Sequence, residues 1–162
     1  MLVTSIPNLV LTPLAEHHSL ALYELIQENS AHLTAHGDYE DLVAAPLARI
    51  AAEFKRPTNS NLRFGIFVGW QLVGSMDLVP VAPPRYGLGY WLGETSTGKG
   101  YATAALRALI EFARTELRAT DIFAGVTHGN WRSRAVLERV GFAAVEIFDK
   151  YQRFHCRLAL DP

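Results

Sequence analysis

The residues best placed to do chemistry lie between positions 88 and 117. Leu88 to Leu92 reads as a strand, and the loop after it carries glycines at 93, 98 and 100. From Ala102 to Leu117 apolar residues recur at helical spacing. Strand, loop and helix in this order bring unpaired backbone N–H groups and the positive end of a helix dipole to one place. The segment therefore predicts a site for a phosphate or pyrophosphate.

Two familiar phosphate loops fit this segment poorly. Gly93 to Gly100 nearly spells a Walker A loop, but Gly100 stands where Ser or Thr must hold magnesium. A dinucleotide fingerprint fails because the spacing after Gly87 and Gly89 is wrong and no acidic residue closes a second strand. An ordinary glycine-rich connection between strand and helix stays open as an alternative on the loop alone.

A second segment has the same strand-to-helix order. Ile122 to Val126 reads as a buried strand. Asn130 is a good N-cap for the helix that follows, and Gly141 closes that helix where left-handed backbone is tolerated. The two segments together predict neighbouring strands that each lead into a helix.

These motifs resemble those of the GNAT superfamily of N-acetyltransferases. Thr97-x-x-Gly100-x-Ala102 is similar to its pyrophosphate loop, and Asn130-x-x-Ser133 with Gly141-Phe142 to the helix after its splayed strand. Together with Gly89-Tyr90-Trp91-Leu92 they resemble the ribosomal-protein N-terminal, or Rim-type, branch over nearly the whole chain.

The resemblance implies acetyl-coenzyme A as co-substrate and no metal. The Tyr90-Trp91-Leu92 backbone would supply the oxyanion donor and pair with the pantetheine arm, and Ser133 would protonate the departing thiolate. The residues implied to contact acetyl-coenzyme A are Tyr90, Trp91, Leu92, Thr97, Gly98, Lys99, Gly100, Tyr101, Ala102, Thr103, Asn130 and Ser133.

The general base is the open point in this assignment, because an amine must lose a proton before it attacks. Three residues depart from the family pattern. Gly87 stands where many relatives carry a glutamate, and Ala104 stands where the Rim-type branch commonly has a second glutamate. Thr97 replaces the usual Gln or Arg of the pyrophosphate loop. Glu146 is our predicted base. The alternatives are Asp149, His32, His36 and His128. For the acceptor wall we expect Leu33, His36, Phe64, Tyr90 and Trp91.

Composition restricts the function classes. The chain has 162 residues and a formal net charge of −1, so it lacks the basic footprint of a nucleic-acid-binding protein. Cys156 is the single cysteine, which excludes an internal disulfide and a cysteine-rich metal site. We expect a cytoplasmic monomer or homodimer without a membrane segment, whose partners are acetyl-coenzyme A and an amine acceptor.

The expected fold is one α/β domain over residues 1–162. By the resemblance it is a mixed, twisted sheet of six or seven strands with helices on both faces. Its central strands, Leu88–Leu92 and Ile122–Val126, would run parallel and splay apart. Pro46 should kink or split a helix between about Tyr39 and Lys55, and Pro80, Pro83 and Pro84 predict a loop.

Three functions are compatible with these features. The first is an N-acetyltransferase acting on a protein or peptide N-terminus, with a small toxic or antibiotic amine as the alternative acceptor. The second is a relative that binds coenzyme A without catalysis, and the third is an unrelated structural domain. Stabilisation by acetyl-coenzyme A and thiol release in the presence of amines would separate them.

Overall fold

The computed structural model describes residues 1–56 and 61–159. Over this part of the chain, eight strands form one mixed sheet in the order β1-β2-β3-β4-β5-β6-β8-β7. The strands are β1 Leu2–Val3, β2 Leu9–Pro13, β3 Leu62–Val68, β4 Gln71–Ala82, β5 Arg85–Leu92, β6 Asp121–Thr127, β7 Ala143–Ile147 and β8 Tyr151–Arg157. The expected α/β class is confirmed, and the strand count exceeds the expected six or seven by the short β1.

Helices cover both faces of the sheet, as expected. They are α1 Ser19–Glu28, α2 Ser30–Leu33, α3 Glu40–Ala44, α4 Leu47–Glu53, α5 Tyr101–Thr115 and α6 Trp131–Arg139. A large core packs α5 and α6 against one face, and a smaller core packs α1 to α4 against the other. Pro46 separates α3 from α4 as predicted, because proline lacks the N–H that would continue the helix.

The prolines after residue 79 do not form the predicted loop. Pro80 lies within β4 and pairs with Tyr86 of β5. Pro83 and Pro84 alone make the turn, so β4 and β5 form one long hairpin. Its register places Asp77 opposite Gly89.

The central strands behave as the resemblance implies. β5 and β6 run parallel and pair from Arg85 with Asp121 to Leu88 with Ala124. Beyond Leu88 and Ala124 no further pairs join them, although both strands continue. The gap between them opens into the candidate site.

Candidate active site

A cleft of about 590 Å³ lies between the splayed ends of β5 and β6. It passes through the sheet, so both helical layers contribute to its lining. Leu33, His36 and Trp91 line it on the α1–α4 side, and Ser133 lines it from α6. A ligand in the cleft would lie beside the unpaired edge of β5, where backbone groups are free to bind it.

One end of the cleft lies at the start of α5. Gly98 and Gly100 have φ of 75° and 79°, in the left-handed region that glycine adopts without strain. The Ala104 N–H bonds to the Gly100 carbonyl at 3.1 Å, so the preceding N–H groups of the first turn have no partner within the helix. A Cβ at Gly98 would meet nothing within 4 Å. Open space therefore faces a set of backbone donors.

Two cations lie beside these donors. Lys99 is exposed, with its Nζ 6.0 Å from the centre of the Tyr101 ring. Arg139, in the last turn of α6, donates from Nη1 to the Thr103 hydroxyl at 3.1 Å. Backbone donors and two cations fit a diphosphate. Sequence reasoning missed Arg139, because only the packing of α6 against α5 brings it to this loop.

Hydroxyl groups meet at the start of α6. Asn130 caps the helix by accepting a hydrogen bond from the Ser133 N–H at 3.2 Å. Ser133 is half-buried and lines the cleft. The Tyr90 hydroxyl lies 3.4 Å from the Ser133 carbonyl oxygen, and burial raises the pKa of Tyr90. The Tyr90 phenol therefore stays protonated at neutral pH and is a second donor beside Ser133.

Two adjacent residues between α2 and α3 span the splayed strands. The Tyr39 hydroxyl donates to the Tyr90 carbonyl of β5 at 2.9 Å, and Asp38 accepts a hydrogen bond from Thr127 of β6. Tyr39 has φ of 61°, which a residue with a side chain adopts only when its surroundings hold it there. Burial, with Asp38 and Asp77 nearby, raises the pKa of Tyr39 and keeps its hydroxyl a donor.

A smaller groove of about 290 Å³ lies on the α1–α4 side of the splay and shares Gly89 and Gly125 with the cleft. Asp77 lines this groove. A Cβ at Gly89 would come within 2.8 Å of the Asp77 Oδ1, so the carboxylate lies over the glycine backbone. Burial raises the pKa of Asp77, while Arg63 opposes the shift. This is a carboxylate poised to accept a proton next to the splay.

Sequence reasoning also missed Asp77. The signal that would have found it is the hairpin register, since Asp77 faces Gly89 only when Pro80 is read as part of β4. Gly87, at the position of the expected glutamate, lines the same groove. Asp77 therefore puts a carboxylate in the same groove as Gly87, from the neighbouring strand.

The structure brings together most of the residues predicted to bind. Leu33, His36, Tyr90, Trp91, Leu92, Thr97, Ala102, Asn130 and Ser133 all line the cleft, as does His32. Gly98, Lys99, Gly100, Tyr101 and Thr103 form the loop and first turn at its end.

Other predicted residues lie elsewhere. Phe64 is buried on the α5 face of the sheet, edge-to-face with Phe112 at 5.6 Å, because strand alternation turns it away from the acceptor side. Glu146 lies exposed on the edge strand β7 and pairs with Arg153 at 3.3 Å. Neither is among the residues that line the cleft. His128 bonds to the Phe148 carbonyl at 2.8 Å, and Asp149 is exposed in the β7–β8 turn.

Within residues 1–56 and 61–159, no group of three or more His, Cys, Asp or Glu side chains is arranged to hold a metal ion. No helix in those same ranges is long and apolar enough to cross a membrane.

Comparison with known sequences gives one family. A family model described as an acetyltransferase (GNAT) domain matches residues 8–143. A putative ribosomal N-acetyltransferase of Bacillus subtilis (strain 168), YdaF, is 46% identical over 55 residues, which are 34% of this chain and 30% of that protein. The probable N-acetyltransferase YjcK of the same organism is 37% identical over 89 residues, 52% of this chain and 49% of that protein. The matches thus span less than half the length of these curated relatives.

Solved structures share the fold over nearly the whole chain. RimL, a ribosomal-protein alpha-N-acetyltransferase in complex with coenzyme A, has a TM-score of 0.86 at 20% identity and covers 99% of this chain and 100% of its own. Mycobacterium smegmatis RimJ has a TM-score of 0.82 at 22% identity and covers 95% and 85%. The microcin C7 self-immunity acetyltransferase MccE, in complex with acetyl-CoA and AMP, has a TM-score of 0.79 at 19% identity and covers 94% of each.

Proposed function

Because the chain belongs to the GNAT acetyltransferase family, we propose that it transfers an acetyl group from acetyl-coenzyme A to a primary amine of a protein or peptide N-terminus. The observation that carries this proposal is the continuity of the cleft. It runs from the donors at the start of α5 past the free edge of β5, and it shares Gly89 and Gly125 with the groove that holds Asp77.

The α5 end would hold the pyrophosphate of acetyl-coenzyme A. Unpaired N–H groups from Gly98 to Thr103 supply hydrogen bonds, and Lys99 and Arg139 supply positive charge. The pantetheine arm would lie along β5 from Tyr90 to Leu92, where β6 has diverged. The Tyr39 hydroxyl already donates to the Tyr90 carbonyl, so an arm that uses this carbonyl must either displace Tyr39 or bond to the oxygen's second lone pair.

Asp77 is the general base in this proposal. When bound, acetyl-coenzyme A supplies the thioester carbonyl that the amine attacks. An amine above Gly89 would lie next to the Asp77 carboxylate, which takes the proton that the amine must lose. The burial that raises the pKa of Asp77 brings its basicity closer to that needed at neutral pH. The backbone N–H groups of Tyr90 and Leu92, which face the gap while that of Trp91 faces β4, would stabilise the negative charge on the carbonyl oxygen.

Ser133 is the proposed acid for the coenzyme A thiolate. It lies at the start of α6, where the helix dipole also favours negative charge. The amine gives a proton to Asp77 and the thiolate receives one from Ser133. Asp77 then releases its proton to solvent and Ser133 takes one from solvent, so both groups return to their starting states. The Tyr90 hydroxyl lies beside Ser133, 3.4 Å from its carbonyl oxygen.

A protein or peptide N-terminus as acceptor is supported by the Rim-type relatives. YdaF, the relative with 46% identity, is named a putative ribosomal N-acetyltransferase. A small-molecule amine is the second candidate, since MccE, a self-immunity acetyltransferase, shares the fold at a TM-score of 0.79.

Two measurements test the function. Acetyl-coenzyme A should raise the temperature of unfolding, since a ligand that binds only the folded state stabilises it by mass action. Thiol release should then be followed with peptides of varied first residue, polyamines, free amino acids and aminoglycosides. Turnover confined to aminoglycosides or other small amines would contradict the N-terminal acceptor. Binding without thiol release from any amine would contradict catalysis.

A further inference from the structure

Residues that lie opposite one another on neighbouring strands line the smaller groove, the one that contains Asp77, on the α1–α4 face of the sheet. Residues directly opposite each other on paired strands project to the same face. Asp77 lies opposite both Arg63 and Gly89, while Arg153 lies opposite both Gly125 and Glu146. Two glycines therefore face each other across the splay, with an aspartate beyond one and an arginine beyond the other.

The glycines create the groove between these charges. A Cβ at Gly89 would lie 2.8 Å from the Asp77 Oδ1, and a Cβ at Gly125 would lie 3.1 Å from the Tyr151 ring. A side chain at either position would fill the space. The groove is thus about 290 Å³ of room beside the proposed base, with Arg153 and Tyr151 in its opposite wall.

The Arg153 side chain is held by two neighbours, yet some of its N–H donors stay available to a ligand. Its Nη1 lies 3.3 Å from the Glu146 Oε2, and its guanidinium lies 4.9 Å from the centre of the Phe148 ring. An exposed ion pair of this kind contributes little stability. A guanidinium has five N–H donors, so Arg153 can bind a carboxylate of a ligand while the Phe148 ring keeps it oriented.

We propose that this groove is the acceptor subsite, and that it selects a peptide N-terminus carrying a glutamate or aspartate at about its third residue. The proposal rests on the proposed acetyl transfer and names its substrate class. The amine would lie over Gly89 beside Asp77, and the acidic side chain would reach Arg153.

The spacing of the strands sets the position of the acidic residue. From β5 across β6 to β8 is two strand intervals, about 10 Å at the last β5–β6 pair, Leu88 with Ala124, and somewhat more one residue further on at Gly89 and Gly125. An extended peptide advances about 3.3 Å per residue. The distance from the amine to Arg153 therefore corresponds to about three residues. A polyamine would place a second cation against Arg153 and be disfavoured.

The test compares three hexapeptides that are identical except for glutamate, glutamine or lysine at the third position. We expect the wild-type protein to favour the glutamate peptide over the glutamine peptide about fivefold in kcat/KM, mainly through KM, at low ionic strength. The lysine peptide should be poorest. Arg153→Gln should abolish the difference between the glutamate and glutamine peptides, because it should lower kcat/KM on the glutamate peptide to the value on the glutamine peptide.

Two further variants make the test specific. Arg157→Gln removes an arginine from the same face of β8 outside the groove and should keep the preference. Glu146→Gln removes the competing carboxylate from Arg153 and should enlarge the preference. Thermal unfolding of each variant checks that it is folded.

The alternative outcomes separate the two proposals. Equal kcat/KM on the three peptides, or a preference that survives Arg153→Gln, would overturn the acidic-peptide inference and leave acetyl transfer intact. Turnover on small amines but on none of the peptides would overturn the acidic-peptide inference and the N-terminal acceptor together, and would leave acetyl transfer to an amine intact. Acetyl-coenzyme A binding without thiol release from any acceptor would overturn both.

Discussion

The two ends of the cleft are built in different ways. The end at α5 is formed mainly by consecutive residues, Thr97 to Thr103, with Arg139 added from α6. The acceptor end is formed by residues far apart in the sequence, such as Asp77, Gly125 and Arg153, which meet only through strand pairing. One end is a local backbone conformation, and the other is a consequence of sheet register.

This difference predicts which substitutions each end of the cleft tolerates. A local loop depends on backbone conformation, so a change at a left-handed glycine should damage it more than the loss of a flexible side chain. A site set by register depends on which side chain faces the gap. There we expect replacement of one carboxylate to abolish function without disturbing the fold.

The largest effect is expected at the acceptor end. Asp77→Asn should lower kcat by about 100- to 10,000-fold with little change in acetyl-coenzyme A affinity, since it removes the proposed base but keeps the shape of the side chain. Single-turnover thiol release and calorimetry measure these two quantities. Glu146→Gln is the contrasting variant, because Glu146 lies exposed on β7. Loss of turnover with Glu146→Gln rather than Asp77→Asn would restore Glu146 as the base.

The next largest effect is expected at the α5 end. Gly100→Val should weaken acetyl-coenzyme A binding by about 100-fold or more, because valine strains the backbone at φ 79° and so disturbs the loop whose N–H groups are the proposed donors. Gly69→Val is the matched control: Gly69 has φ of 60° in the β3–β4 turn and a Cβ there meets nothing within 4 Å. If Gly100→Val binds acetyl-coenzyme A as tightly as Gly69→Val does, the left-handed backbone at Gly100 does not contribute to binding.

The contrast between a site built from consecutive residues and one built by strand register also explains which parts of the site could be predicted from the sequence. The α5 loop was predictable because its glycines, its strand and its helix are contiguous, and the α3–α4 break followed from Pro46 alone. Asp77 was not predicted because its role depends on pairing with Gly89, which the interpretation of Pro80 as loop concealed. Phe64 was assigned to the acceptor wall on its type, and only the strand alternation shows that it faces α5.

Where the two ends meet, Ser133 should give an intermediate effect. Ser133→Ala should lower kcat by about 10- to 100-fold, with acetyl-coenzyme A affinity nearly unchanged, since its proposed proton transfer occurs only as the thiolate departs. Tyr90→Phe, which removes the neighbouring hydroxyl, should lower kcat less. If Ser133→Ala keeps full turnover while the chemical step is rate-limiting, Ser133 is structural. The Tyr90 hydroxyl, Tyr151 or water must then protonate the thiolate.

A small effect is expected for the side chains around the phosphate loop. Lys99→Ala should weaken acetyl-coenzyme A binding less than about fivefold, because an exposed, flexible charge is worth about 1 kcal/mol or less. Arg139→Ala should reduce acetyl-coenzyme A affinity more than Lys99→Ala does. The Arg139 side chain is already held by Thr103, so it loses less conformational entropy when it binds the ligand. If calorimetry shows a larger loss of acetyl-coenzyme A affinity for Lys99→Ala than for Gly100→Val, the charge rather than the backbone holds the ligand.

The smallest effects are on stability, and they should have opposite signs at two aspartates: Asp77 beside the splay, and Asp121 at the paired end of β6. Burial raises the pKa of Asp77 above its usual value of 3.8, so the folded protein binds this proton more tightly than the unfolded chain. The ionised Asp77 therefore destabilises the fold above its folded pKa, and the penalty disappears as the pH falls below 3.8.

Asp121 has the opposite linkage. Hydrogen bonds from His155 at 2.7 Å and from the Thr120 hydroxyl at 2.7 Å lower its pKa, so its ionised form stabilises the fold above 3.8. That contribution is lost as the pH falls through the lowered pKa. At pH 7 we expect Asp121→Asn to lower the free energy of unfolding by about 1 kcal/mol or less, and Asp77→Asn to leave it unchanged or raise it. Thermal unfolding at pH 7 and at pH 3 measures both, and the two variants should converge toward wild type at the lower pH. A loss of stability with Asp77→Asn equal to that with Asp121→Asn would mean that Asp77 is part of the scaffold, and the case for its role as the base would then rest on kinetics alone.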